Sequence, residues 1–168
     1  MATKNSSVNP TADIVDLDLS AIRKKRFRVD GDDNKILELN TSDLNILPRL
    51  KESYPKLQEL SRQAAEEWPE DFGEDSDDSI NSPEMEKAVT FLRKIDDEMR
   101  SIIDYIFDAP VSAVCADSGS MYDPINGQFR YEHIINTLGN LYEVELSSEM
   151  DKVSARVQKH TNKYTKKR

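Results

Sequence analysis

The stretch SPEMEKAVTFLRKIDDEMRSIIDYIFD occupies residues 82–108 and decides the predicted fold. It opens with a helix cap, Ser82, followed by Pro83 at the first helical position and by Glu84 near the positive end of the helix dipole. Apolar residues then recur every seven positions in two rows, Met85–Leu92–Met99–Ile106 and Ala88–Ile95–Ile102. Such spacing is typical of helices that pack on other helices. We therefore predict a long helix that ends near Phe107.

The width of the apolar stripe on this helix favours a globular bundle over a bare two-stranded coil. Three further apolar residues flank the two rows: Val89, Phe91 and Ile103. A stripe of this width buries one whole helix face against a core, whereas a two-stranded coil needs only a narrow strip.

A β-hairpin is predicted ahead of the long helix, in the stretch KKRFRVDGDDNKILELN, residues 24–40. Side chains alternate with period two on both arms, and Asp30-Gly31 supplies a turn between them. A helical pattern follows, with apolar residues at Leu44, Leu47, Leu50, Tyr54, Leu57, Leu60 and Ala64. Pro48 fits the first turn of that helix, whereas Pro55 is expected to kink it or to divide it into two.

Further helices are predicted after the long one. A short helix is expected over residues 111–116, and residues 117–128 form a loop because they hold two Gly, Pro124 and several Asp, Ser and Asn. The pattern is helical again from Phe129 to about Val144. Ser147 or Ser148 is then expected to cap a last helix. That last helix is predicted to bury Met150, Val153 and Val157.

The composition limits the size of the core. Of the 168 residues, 37% are hydrophobic and 33% are charged, which is less apolar and more charged than an average soluble domain. We predict a mainly α (α+β) fold, a helical bundle with a small N-terminal β-hairpin. Its regions are a disordered N-terminal segment (1–22), a β-hairpin plus helix (23–65), an acidic linker (66–82) and a helical domain with a basic C-terminal end (83–168).

The acidic linker is predicted from charge density alone. Eight carboxylates and no Lys or Arg lie between Glu66 and Asp78. Like charges at this density repel one another and favour an extended, solvated chain.

Charge and apolar content indicate a soluble intracellular protein. The net charge of −9 opposes nucleic-acid binding, which depends on Lys and Arg neutralising phosphates. The N-terminus lacks a basic region followed by an apolar run, and no apolar run approaches the roughly 18 residues of a membrane span. A single cysteine fits a reducing cytoplasm. The basic end from Lys152 to Arg168 fits the negative end of the helix dipole or a contact with the acidic stretch of residues 66–78, and we favour these explanations over nucleic-acid binding.

A catalytic cysteine is the strongest enzymatic alternative. Cys115 needs a base to form a thiolate, and His133 lies one loop away in sequence. Cys115 stands among small apolar residues, however, and free cysteine is among the most buried residue types. We therefore expect a structural thiol and no enzymatic activity.

Metal and cofactor sites are not predicted. The stretch DGDDN at residues 30–34 resembles the start of a calcium loop, but Lys35 stands where that loop needs Gly and Thr41 where it needs Glu. Two histidines and one cysteine make no zinc motif, and the scattered glycines form no phosphate loop. A solvated helix face explains the acids of the long helix, which are Asp96, Asp97, Glu98 and Asp104.

Apolar and aromatic residues near the end of the long helix are candidates for partner binding. Two amphipathic helices with spare aromatics can present a groove for a partner helix, or they can simply fill the core. Both alternatives stay open. The candidates are Met99, Ile103, Tyr105, Ile106, Phe107, Val111, Phe129 and Tyr131.

Three motifs, in their order along the chain, resemble those of a known family. The motifs are DYIFDAPVSAVCAD (residues 104–117), FRYEHIINTLGNLY (129–142) and NKYTKKR (162–168). Together they resemble the tail assembly chaperones of long-tailed bacteriophages and prophages, especially those of Gram-positive hosts. The family tends to show an Ile/Leu-Phe-Gly/Asp step, here Ile106-Phe107-Asp108, and a Lys-Tyr-Ser/Thr ending, here Lys163-Tyr164-Thr165. The likeness covers roughly residues 24–65 and 90–168.

The resemblance implies a non-enzymatic role in virion assembly. Proteins of this family bind the long helical tape measure protein in the host cytoplasm and recruit tail tube proteins around it. They are generally absent from the mature virion, and many also exist in a longer frameshifted form. The alternative is a structural virion component, such as a tail or head–tail accessory protein. Neither role needs a cofactor, nucleic acid or a membrane.

Overall fold

A computed structural model describes residues 24–66 and 82–165, with side chains up to residue 159. The elements are β1 (Lys25–Val29), β2 (Asp32–Leu39), α1 (Ile46–Glu66), α2 (Pro83–Phe107), α3 (Val111–Cys115), β3 (Pro124–Ile125), β4 (Gln128–Phe129) and α4 (Arg130–Thr165). The predicted mainly α fold with a small N-terminal hairpin is confirmed. The predicted disordered segment 1–22 and nearly all of the predicted linker 66–82 lie outside the described residues.

The N-terminal hairpin pairs β1 with β2 in antiparallel register, from Lys25 opposite Leu39 to Arg28 opposite Ile36. Asp30 and Gly31 both have positive φ, 53° and 74°. Two consecutive left-handed residues match the right-handed twist of the strands, which explains the Asp-Gly pair. The hairpin turns Leu37 and Leu39 into the core.

Helix α2 begins and ends where the sequence predicts. The Ser82 side chain accepts a hydrogen bond from the backbone N–H of Met85, and Pro83 is the first helical residue. Asp108 adopts a left-handed conformation after the last turn, where its own N–H reaches the carbonyl of Tyr105. This is the usual geometry of a helix C-terminus.

Helix α2 also forms the centre of the molecule, because α1, α3 and α4 all contact it. Burial is concentrated in its second half, at Ile95, Met99, Ile102, Ile103, Ile106 and Phe107. In the first half, Met85, Ala88 and Leu92 are only half-buried. The seven-residue rows therefore extend beyond the part of the helix that the core covers.

Helix α1 is not divided at Pro55, which was one of the two outcomes expected there. The chain runs through this proline as a single helix of 21 residues. Proline removes one backbone hydrogen bond, but Pro55 and the residue four positions earlier, Lys51, are both exposed. Water can therefore satisfy the carbonyl that the proline leaves without a donor.

Helix α4 corrects the expectation of a break at Ser147 or Ser148. It is one helix of 36 residues, with both serines in its interior. Neither residue forbids helical geometry as proline does. Met150, Val153 and Val157 are consequently exposed rather than buried in a separate packed helix.

The loop before α4 contains a minimal hairpin. Ile125 pairs with Gln128 across Asn126-Gly127, and both turn residues have positive φ. Asn-Gly is the preferred sequence for this two-residue turn. In the part of the chain that the structure describes, no helix has the length and apolar composition needed to cross a membrane.

Candidate partner-binding surfaces

The structure buries most of the predicted partner-binding residues. Tyr105 is half exposed and Phe129 is half-buried. The other six are core residues: Met99, Ile103, Ile106, Phe107, Val111 and Tyr131. The sequence left open whether these residues form a groove for a partner helix or fill the core. The six fill the core, so a partner cannot touch them in this conformation.

Tyr105 and Phe129 reach solvent in different surroundings. The Tyr105 hydroxyl donates a hydrogen bond of 2.8 Å to Glu52 Oε2, which ties the end of α2 to α1. This hydrogen bond raises the pKa of Tyr105, because it favours the protonated hydroxyl. Phe129 stacks on Tyr131 with ring centroids 5.9 Å apart, and both rings contact Tyr122. Phe129 therefore belongs to an aromatic cluster that covers the core.

Asp96 is a structural anchor rather than part of a solvated helix face. Its Oδ1 accepts hydrogen bonds from Ser120 Oγ at 2.8 Å and from the Met121 N–H, while Arg100 Nε donates to Oδ2 at 2.7 Å. Burial alone would raise the pKa of Asp96, but these three donors outweigh it and hold the pKa below its usual value. The carboxylate is thus committed to fixing the loop after α3.

Asp104 also differs from the solvated helix face that the sequence predicted. Its two oxygens accept hydrogen bonds from the backbone N–H and the hydroxyl of Ser112, at 2.7 and 2.8 Å. These bonds hold α3 against the end of α2. Only Asp97 and Glu98 of the four acids are exposed as expected.

A groove of about 440 Å³ lies beside this network. Leu92, Arg93, Asp97 and Tyr122 line it together with the anchored Asp96. A general acid or base needs a pKa near the working pH. The pKa of Asp96 is instead lowered, which moves it further from neutral pH.

Cys115 is half-buried and poorly suited to nucleophilic attack. Burial, with smaller contributions from Asp30 and Asp104, raises the pKa of its thiol to about 11. Only the thiolate is a good nucleophile, so the group is protonated at neutral pH. His133, the base considered from the sequence, is exposed and shares a hydrogen bond of 3.1 Å with Gln128.

The hairpin that resembles a calcium loop is a self-contained turn. Asp32 Oδ1 accepts hydrogen bonds from the backbone and the side chain of Asn34, at 2.9 and 3.1 Å. Within residues 24–66 and 82–165, no group of three or more His, Cys, Asp or Glu is placed to hold a metal ion.

An exposed apolar row lies on α1 and just before it. We call Leu44, Leu47, Leu50 and Tyr54 the α1 flank row; they are 37% to 60% exposed. The buried residues of the same helix are Ile46, Ser53, Leu57, Leu60 and Ala64. At 3.6 residues per turn, the flank row lies about 80° round the helix from the buried residues.

The α1 flank row was missed because the sequence shows one apolar pattern from Leu44 to Ala64. The structure divides that pattern, since only its later members face the core. The signal was present in the spacing. One narrow stripe that contains Tyr54 cannot also contain both Ile46 and Leu47. It cannot contain both Leu57 and Leu60 either.

A second exposed apolar row lies on the C-terminal part of α4. We call Met150, Val153 and Val157 the α4 stripe; they are 52%, 53% and 57% exposed. The stripe continues the face on which Leu138, Tyr142 and the partly buried Leu146 pack against the core. Its spacing of three and four residues is typical of helix–helix packing.

Comparison with known proteins gives no relative for this chain: no protein-family model, curated protein or solved structure matches it.

Proposed function

We propose that this chain is a non-enzymatic tail assembly chaperone of a long-tailed bacteriophage or prophage. It binds the tape measure protein in the host cytoplasm, helps to recruit tail tube proteins, and leaves before the virion is complete. The observation that carries the proposal is the α1 flank row, an exposed apolar surface on an ordered helix. The motif likeness at residues 104–117, 129–142 and 162–168 supports the choice of partner.

The α1 flank row suits a helical partner. From Leu44 to Tyr54 it spans eleven residues, and the ten steps between them cover about 15 Å where the chain is helical. That length matches two to three turns of an amphipathic helix, whose anchors recur every three or four residues. A long helical client offers such turns repeatedly along its length.

The surroundings of the row suit a holding chaperone. Lys51 stands between Leu47 and Tyr54 and is exposed, so it can pair with an acidic residue of the client. The buried face of α1 packs against α2, which fixes the row without contact from the client. The net charge of −9 keeps the complex soluble while the apolar surface is covered.

Co-expression with the tape measure protein of the same phage tests the proposal. We expect wild-type chain to move that protein from the insoluble to the soluble fraction. Leu47→Asp should abolish most of the effect, because a carboxylate cannot be buried without a partner. Val144→Asp is the matched control, since Val144 is 68% exposed and lies on α4, away from the row.

Two results would overturn the proposal. One is a tape measure protein that is equally insoluble with and without the wild-type chain. The other is abundant peptides of this chain in purified mature particles, detected by mass spectrometry, which would instead indicate a structural virion component. Solubilisation that Leu47→Asp leaves intact would show that the α1 flank row is not the docking surface.

A further inference from the structure

The C-terminal part of α4 leaves the body of the molecule. Among the side chains that the structure describes, which end at residue 159, Leu146 is the last apolar one of the helix that packs on the core, whereas the α4 stripe beyond it is more than half exposed. The helix continues to Thr165, which places about 28 Å of it beyond Leu146.

A helix of this composition is only marginally stable in water without a partner. Serine, β-branched valine and threonine are weak helix formers, and they supply Ser147, Ser148, Val153, Ser154, Val157 and Thr161. Isolated helices of this length are marginal even when made of the best helix formers. Packing of the α4 stripe against another apolar surface would supply the missing stabilisation.

The charges of α4 favour a second copy of the same helix as that surface. Residues 130–151 contain five acids and one arginine, whereas residues 152–165 contain four Lys or Arg and no acid. Two such helices side by side in parallel bring like charges together. In antiparallel orientation the basic end of each helix lies beside the acidic part of the other.

Two residues beside the stripe favour the same orientation. Glu149 and Arg156 each precede a stripe residue, Met150 and Val157, so both lie along one edge of the stripe. In an antiparallel pair this edge faces the same edge of the second copy, and Glu149 of each chain meets Arg156 of the other. In a parallel pair the edge faces the one that carries Ser154, which is uncharged.

We infer that the chain forms a homodimer through antiparallel pairing of the α4 stripe, in which Glu149 of each copy forms an ion pair with Arg156 of the other. In the single chain, Glu149 forms an exposed ion pair with Lys152 at 2.6 Å. Exposed pairs of this kind contribute little to stability, so the glutamate can change partners at small cost.

Light scattering after size-exclusion chromatography of the full chain tests the dimer. We expect a mass of twice 19.2 kDa. Val153→Asp should weaken association at least about tenfold, because it places a carboxylate in the apolar contact. Val144→Asp should leave the dimer intact, since nine residues place Val144 on the opposite side of the helix from Val153.

Charge reversal tests the orientation. Glu149→Lys and Arg156→Glu should each weaken the homodimer, because each places like charges against one another. An equimolar mixture of the two variants should form heterodimers as tight as wild type, as both ion pairs are then restored. A parallel dimer would respond little to either variant.

The inference is overturned by a wild-type chain that stays monomeric up to about 100 μM, by a dimer that Val153→Asp leaves unchanged, or by charge variants that do not recover on mixing. It does not rest on the proposed function. Client solubilisation is measured with Leu47→Asp, which leaves the α4 stripe untouched, so the two ideas succeed or fail separately.

Discussion

The Oδ1 atom of Asp96, in the middle of α2, accepts a hydrogen bond from the backbone N–H of Met121, 25 residues later in the chain. The same oxygen accepts from Ser120, and Arg100 donates to the other oxygen. One carboxylate therefore fixes the start of the loop that leads to α4. Met121 is fully buried beside it, so the anchor also sets the packing of the core.

Removal of this carboxylate should destabilise the fold. We expect Asp96→Ala to lower the free energy of unfolding by about 2 to 3 kcal/mol, because the donors on Ser120, Met121 and Arg100 lose a charged acceptor. Urea unfolding followed by circular dichroism measures the change. Asp97→Ala is the matched control, since Asp97 is the exposed neighbour of Asp96 and lacks this network. Equal effects of the two variants would refute the anchoring role of Asp96.

Asp96 should also make stability depend on pH. Its pKa is lowered in the folded chain, where the hydrogen bonds outweigh the effect of burial. A group of this kind stabilises the fold above its unfolded pKa, near 3.8, and the contribution is lost as pH falls through the folded pKa. Wild type should therefore lose stability below about pH 4, and Asp96→Asn should lose less over the same range. Parallel pH profiles of the two proteins would contradict this.

Arg49 joins the start of α1 to the end of α2. Its Nε donates to the Ile106 carbonyl at 2.9 Å, and its guanidinium pairs with Asp43 at 2.8 Å, both side chains being about 15% exposed. Arg49→Ala should cost about 1 to 3 kcal/mol of unfolding free energy, because the Ile106 carbonyl and the partly buried Asp43 carboxylate both lose a charged donor. Arg49→Lys should recover only part of this, since lysine lacks the fork that reaches both acceptors.

The control for Arg49 is Arg62→Ala on the same helix. Arg62 pairs with Glu59 and Glu66 on the exposed face of α1, and such pairs contribute between about 0 and 1 kcal/mol. Urea midpoints of the three variants should rank Arg62→Ala nearest to wild type and Arg49→Ala furthest from it. A different order would contradict the role given to the Arg49–Ile106 contact.

Cys115 should react slowly with alkylating reagents in the folded protein. With a pKa of about 11 in the folded chain, its rate with iodoacetamide at pH 8 should be roughly 200-fold below the rate in urea, where the pKa returns to about 8.5. The native rate should rise about tenfold per pH unit up to pH 10. Labelling by mass spectrometry checks this. A rate that levels off below pH 9 would indicate an activated thiol and reopen the enzymatic alternative.

Local signals explain which elements the sequence predicts correctly. The start of α2 depends on Ser82 and Pro83, and the first hairpin on Asp30-Gly31, so neighbouring residues are sufficient. Errors arise where distant packing decides. Ser147 and Ser148 resemble a cap, yet nothing in α4 forces the preceding turn to end, and the helix continues. The second hairpin was missed although Asn126-Gly127 carries the same kind of local signal.

The candidate surfaces are harder to predict because helical period alone does not say what covers an apolar face. Phe107 and Val111 are apolar candidates for a partner contact, but they lie in the core. Leu47 shows the spacing expected of a core residue, but it is exposed. Which alternative holds depends on how many helices surround each face, and that is fixed by tertiary packing.

The division of α1 into a buried face and a flank row gives a final prediction. Leu60→Ala should lower the free energy of unfolding by about 2 to 5 kcal/mol, because Leu60 is 3% exposed and its removal leaves a cavity. Leu47→Asp should change it by less than about 0.5 kcal/mol, as Leu47 is 60% exposed. Urea unfolding of both variants measures the difference. Comparable losses would mean that Leu47 packs inside the fold, and the α1 flank row would then be unavailable to any partner.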